Sequence, residues 1–248
     1  MPRAFSGFGG GLSSVPRVTR TMLVVFVAAS VLDAVVARWM HGPELALFTA
    51  LIPGAVVEGE VWRLVTYPWL AGDPLALVFG VMLLLFFAAS LERSWGRQRF
   101  LLRTAVLAAV PAALTTAFGL ALPAVASAPY IGLSALGLCW LTAFASELRN
   151  ARVTLFPLPV VLTGDQLLWF EGGMLLLWML FSGSPVPYLN DALSFGLALA
   201  WFRFGAFDGL RRRWLRLRKG RVESRLERLA RERRLRVVRD DDDERFLH

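Results

Sequence analysis

Long apolar stretches alternate with short charged segments along most of this chain. The stretches are residues 21–37, 75–91, 104–146, 167–182 and 192–207. The third contains no charged residue and is about twice the roughly 20 residues that a helix needs to cross a bilayer. Prolines and glycines divide it, so it predicts two helices. The whole pattern therefore predicts six membrane-spanning helices.

Charged residues interrupt the last two stretches. Glu171 stands in the fifth predicted helix and Arg203 in the sixth, at similar depths from the same end of the bundle. A carboxylate inside a bilayer is costly unless it finds a partner. The sequence therefore predicts a Glu171–Arg203 ion pair, with the alternative that both side chains snorkel towards the interface.

Composition agrees with a membrane protein and excludes most other classes. Hydrophobic residues make up 56% of the 248-residue chain, and the mean hydropathy is +0.54, which is too apolar for an ordinary soluble domain. Cys139 is the one cysteine, so an intrachain disulfide is excluded, and we expect it to pack inside a helix. The sequence predicts no cofactor and no metal site.

Basic residues set the expected orientation. If the chain has six spans and its N-terminus is cytoplasmic, Arg38 and Arg63 are the only arginine or lysine residues on the outer side of the membrane. This distribution satisfies the positive-inside rule. We therefore expect a multi-pass protein of a prokaryotic plasma (inner) membrane, with both termini cytoplasmic. Its predicted parts are a cytoplasmic segment at 1–20, a membrane domain at 21–207 and a tail at 208–248.

The tail has a composition of its own. It is strongly basic from Arg211 to Arg239, with leucines at helical spacing, and an acidic block follows. This pattern predicts an amphipathic helix that binds anionic lipids of the inner leaflet. The pattern does not favour nucleic acid, because the helix starts close to the bilayer and has few interleaved aromatic residues.

Short motifs between these helices carry a family resemblance. Trp62-Arg63 stands in a long loop after the first helix, Glu92 and Gly96 stand after the second, and Gly132-Leu133-Ser134-Ala135 opens the fourth. In this order and spacing they resemble signatures of the rhomboid family of intramembrane serine proteases. The resemblance implies an all-α bundle of six transmembrane helices with a long outer first loop.

The same resemblance implies a catalytic site that this chain completes only in part. In rhomboids, a serine at the start of the fourth span pairs with a histidine from the sixth, while a histidine and an asparagine on the second help to stabilise the oxyanion. Ser134 matches the nucleophile. Aligned without gaps, Ala192 takes the place of the base, and Ala76 and Gly80 take the places of the oxyanion donors. The same alignment places Ala71 at a further position where rhomboids have a histidine.

We interpret Ser134 as a vestigial nucleophile. With Gly132, Ala135 and Gly137 it forms a small-residue face for close helix packing, and we expect its hydroxyl to bond a backbone carbonyl. The leading interpretation is a rhomboid-like pseudoprotease that binds transmembrane segments of client proteins without cleaving them.

Two other functions stay open at this point. One is an active rhomboid-type protease with a non-standard base, for which Asp191 and His41 are weak candidates, because a carboxylate with a pKa of about 4 is a poor base towards serine. The other is a structural membrane anchor that acts through its basic tail.

Overall fold

The computed structural model describes residues 15–147, 152–155 and 160–205, and these are mostly helical. The chain divides into two units, Met1–Arg203 and Phe204–His248. The second unit lies almost entirely outside the described residues. The predicted basic tail helix and most of the predicted N-terminal segment therefore lie outside them as well.

Eleven α-helices occur in the described part of the chain. In chain order they are α1 (Arg17–Arg38), α2 (Ala46–Thr49), α3 (Pro53–Val57), α4 (Arg63–Thr66), α5 (Pro74–Leu83), α6 (Ala89–Trp95), α7 (Arg97–Ala121), α8 (Pro123–Ala126), α9 (Ser134–Glu147), α10 (Gly164–Phe181) and α11 (Leu189–Ala198). Short 3₁₀ turns lie at Tyr67–Trp69 and Val186–Tyr188. A π-helical turn, Leu84–Ala88, joins α5 and α6 into one helix, and another, Leu199–Arg203, extends α11.

Each of the six predicted spans overlaps a helix. Among the described residues, the helices at Arg17–Arg38, Pro74–Trp95 and Arg97–Ala121 are long and apolar enough to cross a membrane. Helices α9, α10 and α11 cover the other three predicted spans, but α9 has 14 residues and α11 has 10. The positions of the long helices were thus predictable, while six crossings stay a prediction.

The all-α expectation needs one correction. Strands β1 (Arg152–Leu155) and β2 (Val160–Thr163) form an antiparallel hairpin, with Arg152 opposite Thr163 and Leu155 opposite Val160. Both strands are rich in β-branched residues, which favour extended backbone. The pattern analysis missed them because each strand is only four residues long and lies between two much longer apolar stretches.

Helix α9 lies at the centre of the core and packs against α5, α7, α10 and α11. Leu136, Cys139, Trp140 and Ala143 on this helix are fully buried. At Gly137 a Cβ would lie 2.4 Å from Leu83 Cδ1 of α5, so a larger residue would force the Leu83 side chain or the helix to shift. The predicted close packing at this glycine and the burial of Cys139 are confirmed.

The predicted Glu171–Arg203 ion pair is wrong. Arg203 Nη1 lies 2.9 Å from Oδ1 of Asp165, at the start of α10. Glu171 instead accepts a hydrogen bond from Thr142 Oγ1 of α9, at 3.1 Å to its nearer oxygen. Depth along a helix is readable from sequence, but the rotation of the helix about its axis is not, and here that rotation turns Glu171 towards α9.

Candidate active site

The segment that leads into Ser134 is held by the first loop. Tyr130 forms an isolated antiparallel bridge with Leu51, through hydrogen bonds of 2.8 and 2.9 Å. The Gly132 amide donates to the Tyr67 carbonyl at 3.0 Å. Gly132 has φ +99°, and a Cβ there would lie 3.6 Å from the Leu70 carbonyl oxygen. Glycine is therefore suited to this position because its backbone conformation strains other residues.

Trp62 and Arg63 shape the loop that supports this segment. The Arg63 side chain is buried, pairs with Glu60, and donates from Nη1 to the Ala50 carbonyl at 2.7 Å. Trp62 Nε1 donates to the Phe48 carbonyl at 3.2 Å. Since Ala50 precedes the residue that bridges to Tyr130, this motif orders the first loop against the serine segment.

Glu92 and Gly96 act at the opposite end of the helices. The buried Glu92 carboxylate accepts from the amides of Val18 and Thr19, at 3.1 and 2.7 Å, and from the Thr19 hydroxyl at 2.8 Å. It thereby caps the first turn of α1 from a distant part of the chain. Gly96 has φ +78° and forms the tight turn between α6 and α7.

A polar and aromatic cluster continues beside Glu92. Trp95 donates from Nε1 to Glu147, at the end of α9, and its ring stacks on Phe202 with centroids 5.5 Å apart. The Arg103 guanidinium carbon lies 4.4 Å from the centroid of the same indole, close enough for a cation–π contact. The motif around Glu92 therefore ties together α1, α6, α7 and α9.

Ser134 is the first residue of α9 and is exposed. Its Oγ donates to Oδ1 of Asp191, in the first turn of α11, at 3.1 Å. The expected backbone carbonyl is therefore not the partner that the structure gives it. The residue that contacts Ser134 is also not Ala192, where the resemblance places the base, but its neighbour Asp191. His41, the other candidate base, follows α1 in the first loop with φ 52°.

The surroundings of Asp191 are built from buried polar groups. Asn190 is 1% exposed, and the Thr115 hydroxyl lies 3.1 Å from its Oδ1. The Tyr130 hydroxyl donates to the Val186 carbonyl at 2.8 Å, which ties the serine segment to the turn before α11. Burial raises the pKa of the Tyr130 phenol, and the charge of Asp191 raises it further, so it stays a donor at neutral pH.

The two positions expected to stabilise an oxyanion carry no donor side chain. Ala76 uses its amide to bond Asp73 Oδ1 at 2.8 Å, which caps the start of α5. At Gly80 a Cβ would lie 2.5 Å from both Cε1 and Cζ of Phe26, and 3.3 Å from Leu133 Cδ1. The fully buried Phe26 ring of α1 thus fills the space next to the residue that precedes Ser134.

Ala71, a further position where a histidine is expected, lies at a groove near the C-terminal end of α1. Its amide donates to the Ser30 hydroxyl at 3.0 Å. The groove has a volume of about 640 Å³ and runs between α1, the first loop and the start of α5. Most of its lining is apolar, with Asp33, Arg38, Glu44 and Asp73 as the charged members.

No metal chemistry is indicated by the residues that the structure describes. Within residues 15–147, 152–155 and 160–205, no group of three or more His, Cys, Asp or Glu side chains could hold a metal ion.

Comparison with models of known protein families identifies the family of this chain. The model of the Rhomboid domain matches residues 58–204, more than half of the sequence. The chain therefore belongs to the rhomboid family, a family that includes intramembrane serine proteases. It is a membrane-embedded, mostly helical rhomboid-like protein. None of the curated proteins compared with the chain matches it.

Sequence reasoning missed two residues that define this site. Asp191 was considered only as a weak substitute base, although it stands beside the expected histidine position and its contact with Ser134 depends on the helical phase of α11. No sequence pattern distinguishes Phe26 as a residue of this site, because it is one apolar residue among many in the first predicted span. Only the packing of α1 against α5 reveals what it occupies.

Proposed function

We propose that this protein is a rhomboid-like pseudoprotease that binds transmembrane segments of client membrane proteins without cleaving them. The observation that carries the proposal is the Phe26 ring beside Gly80, which fills the space where an oxyanion-stabilising side chain would need to stand. Removing a single donor from such a site typically slows a serine hydrolase by about 10²–10³-fold. Here Ala76 and Gly80 both lack one.

The base is also of the wrong chemical type. A serine hydroxyl becomes a nucleophile only when a neighbouring group removes its proton, and histidine performs this task near neutral pH. Asp191 accepts the Ser134 hydrogen bond, but a carboxylate is a weaker base towards a serine hydroxyl than the imidazole of histidine. The pair therefore favours a static hydrogen bond that joins α9 to α11.

Client binding is supported by exposed apolar surfaces on other parts of the bundle. The outer groove of about 640 Å³ exposes Val31 and Leu47 along its lining, at 49% and 57%. Trp169, Trp178 and Phe181 on α10 are more than half exposed, as expected of side chains that face lipid or another helix. We place these surfaces in six spans of a prokaryotic plasma membrane, with both termini cytoplasmic.

The decisive experiment uses the full chain, reconstituted in lipid with a transmembrane reporter substrate. We expect no cleavage and no labelling of Ser134 by a fluorophosphonate probe, since an unactivated serine does not react. An active rhomboid protease labelled in parallel is the positive control. Cleavage that disappears in Ser134→Ala would overturn the proposal.

A second candidate function is an active intramembrane protease with Asp191 as its base. The 3.1 Å hydrogen bond from Ser134 to Asp191 is the observation in its favour. If it holds, Asp191→Asn should abolish both cleavage and fluorophosphonate labelling, while Ala192→Gly should leave them intact. No observation on the described residues favours the anchor hypothesis, because the basic tail lies outside them.

Client binding needs a separate test. A photo-crosslinking amino acid at Val31 or Leu47 in the groove should trap membrane proteins in native membranes. The matched control is the same amino acid at Leu102, which is 68% exposed but lies outside the groove. Equal trapping from Leu102 would contradict a binding role for the groove.

A further inference from the structure

A second cavity lies at the end of the bundle where α1 and α7 begin, the end that Glu92 organises. Its volume is about 490 Å³. Three of its lining residues are arginines, namely Arg17, Arg20 and Arg97. The rest of the lining consists of Val18, Thr21, Met22 and Leu101. The cavity therefore combines a positively charged part with an apolar part.

Glu92 lies at the same end of the bundle, but in the part of the chain that the structure describes it forms no ion pair with these arginines. The Glu92 carboxylate accepts hydrogen bonds from the amides of Val18 and Thr19 and from the Thr19 hydroxyl. The two ion pairs described, Arg63–Glu60 and Arg203–Asp165, both lie elsewhere. Arg17, Arg20 and Arg97 are exposed, so their guanidinium groups are accessible to an anion from outside.

The cavity spans the boundary between charged and apolar sequence. Arg17 and Arg20 stand in the first turn of α1, and an apolar stretch begins directly after Arg20. Leu101, one turn beyond Arg97 on α7, is 40% exposed, and the next residue, Leu102, is 68% exposed. A molecule with a phosphate group and a hydrocarbon chain would match both halves, since guanidinium groups bind phosphate through paired hydrogen bonds.

We propose that this cavity is a binding site for a phosphate group, supplied by the headgroup of an anionic phospholipid. The three arginines hold the phosphate, and Met22 and Leu101 contact the first part of an acyl chain. Glu92 contributes indirectly, because its capping of α1 fixes the first turn that carries Arg17 and Arg20. None of the residues that line this site belongs to the Ser134–Asp191 pair.

The test compares two full-length variants with the same net charge. Arg20→Gln/Arg97→Gln removes two cavity arginines, and Arg93→Gln/Arg99→Gln removes two exposed arginines from the same region that do not line the cavity. Binding of phosphatidylglycerol to the purified protein is measured by native mass spectrometry, with phosphatidylcholine as the zwitterionic comparison. Both variants keep the tail, so its contribution to lipid binding cancels.

We expect the cavity variant to bind phosphatidylglycerol about thirtyfold more weakly, because each of the two removed arginines contacts the phosphate in this proposal and contributes roughly fivefold. The control variant should lose much less. An equal loss in both variants would overturn the proposal, since it would show a general effect of charge. Arg20→Lys/Arg97→Lys, which keeps the charge but loses the paired hydrogen bonds, should bind more tightly than the glutamine variant and more weakly than the unchanged protein, and it shows whether the loss reflects misfolding.

A competition experiment with inorganic phosphate distinguishes a lipid headgroup from free phosphate as the ligand. If the lipid is the ligand, millimolar phosphate should not displace phosphatidylglycerol, because it lacks the acyl chain that contacts Met22 and Leu101. Displacement by phosphate at equal concentration would contradict the lipid assignment. Unchanged binding of both ligands in the cavity variant would contradict any phosphate site at these arginines.

Discussion

The two ends of this helical bundle differ in what their motif residues do. At the end around Glu92, the motif side chains join separate helices: Glu92 caps α1, and Trp95 bonds Glu147. At the end around Ser134, the expected polar positions are occupied by Ala76 and Gly80, and hydrocarbon fills the space between helices. One hydrogen bond, Ser134 to Asp191, is left where the family's catalytic pair would stand.

This difference separates residues that hold the fold from residues that serve chemistry. Loss of Glu92 would leave buried amides without an acceptor, which makes the motif necessary for the scaffold whatever the protein does. A catalytic histidine or asparagine holds little of the scaffold, so its replacement by alanine or glycine can leave the bundle intact. Recognisable motifs at one end therefore say little about activity at the other.

The largest expected effect is at Glu92. Glu92→Ala should lower the free energy of unfolding by about 3 kcal/mol, because the amides of Val18 and Thr19 are buried and lose their acceptor. Denaturant titration in detergent micelles measures this loss. Glu58→Ala is the matched control, since Glu58 is exposed, and it should change stability by less than about 0.5 kcal/mol. Equal losses of stability in Glu92→Ala and Glu58→Ala would contradict the structural role of Glu92 and with it the difference between the two ends.

The next effect tests the filled space at the Ser134 end. Gly80→Asn should lower the free energy of unfolding by about 2 kcal/mol, because its Cβ would stand 2.5 Å from atoms of the Phe26 ring. Combined with Phe26→Ala, the same change should cost less than the sum of the two single losses. A double-mutant cycle in detergent measures the coupling. Additive losses would show that Phe26 does not occupy this space.

How much of the fold was predictable follows from the kind of signal that each element leaves. Apolar stretches of the right length located the long helices, because a helix that crosses a bilayer must be long and predominantly apolar. The β1–β2 hairpin left no comparable signal. The wrong Glu171–Arg203 pair came from reading depth correctly without knowing helix rotation, which packing against α9 decides.

The candidate site divides in the same way. The motifs identified Ser134, Gly132 and the emptied positions Ala76 and Gly80, because each is fixed by spacing along one helix. The partner of Ser134 lies 57 residues away, and a one-residue difference in register separates Ala192 from Asp191. Phe26 enters from a third helix. Contacts between distant helices of this kind are not encoded in any local pattern.

A smaller effect is expected at the ion pair that replaces the predicted one. A double-mutant cycle on Asp165→Asn and Arg203→Gln should give a coupling of about 0.5–1 kcal/mol, because the pair is only partly buried. The same cycle on Glu171→Gln and Arg203→Gln should give a coupling near zero. Stability in detergent is again the measurement. A larger coupling for Glu171 would restore the ion pair that the geometry contradicts.

The smallest change should follow the loss of the nucleophile's hydroxyl. Ser134 is exposed and its hydroxyl makes one hydrogen bond, so Ser134→Ala should lower the free energy of unfolding by less than about 1 kcal/mol. Asp191→Asn should cost no more, because an amide oxygen can still accept from Ser134. A loss above about 2 kcal/mol for Ser134→Ala would assign the pair to the scaffold. The Ser134 end would then resemble the Glu92 end, where polar residues hold the helices together.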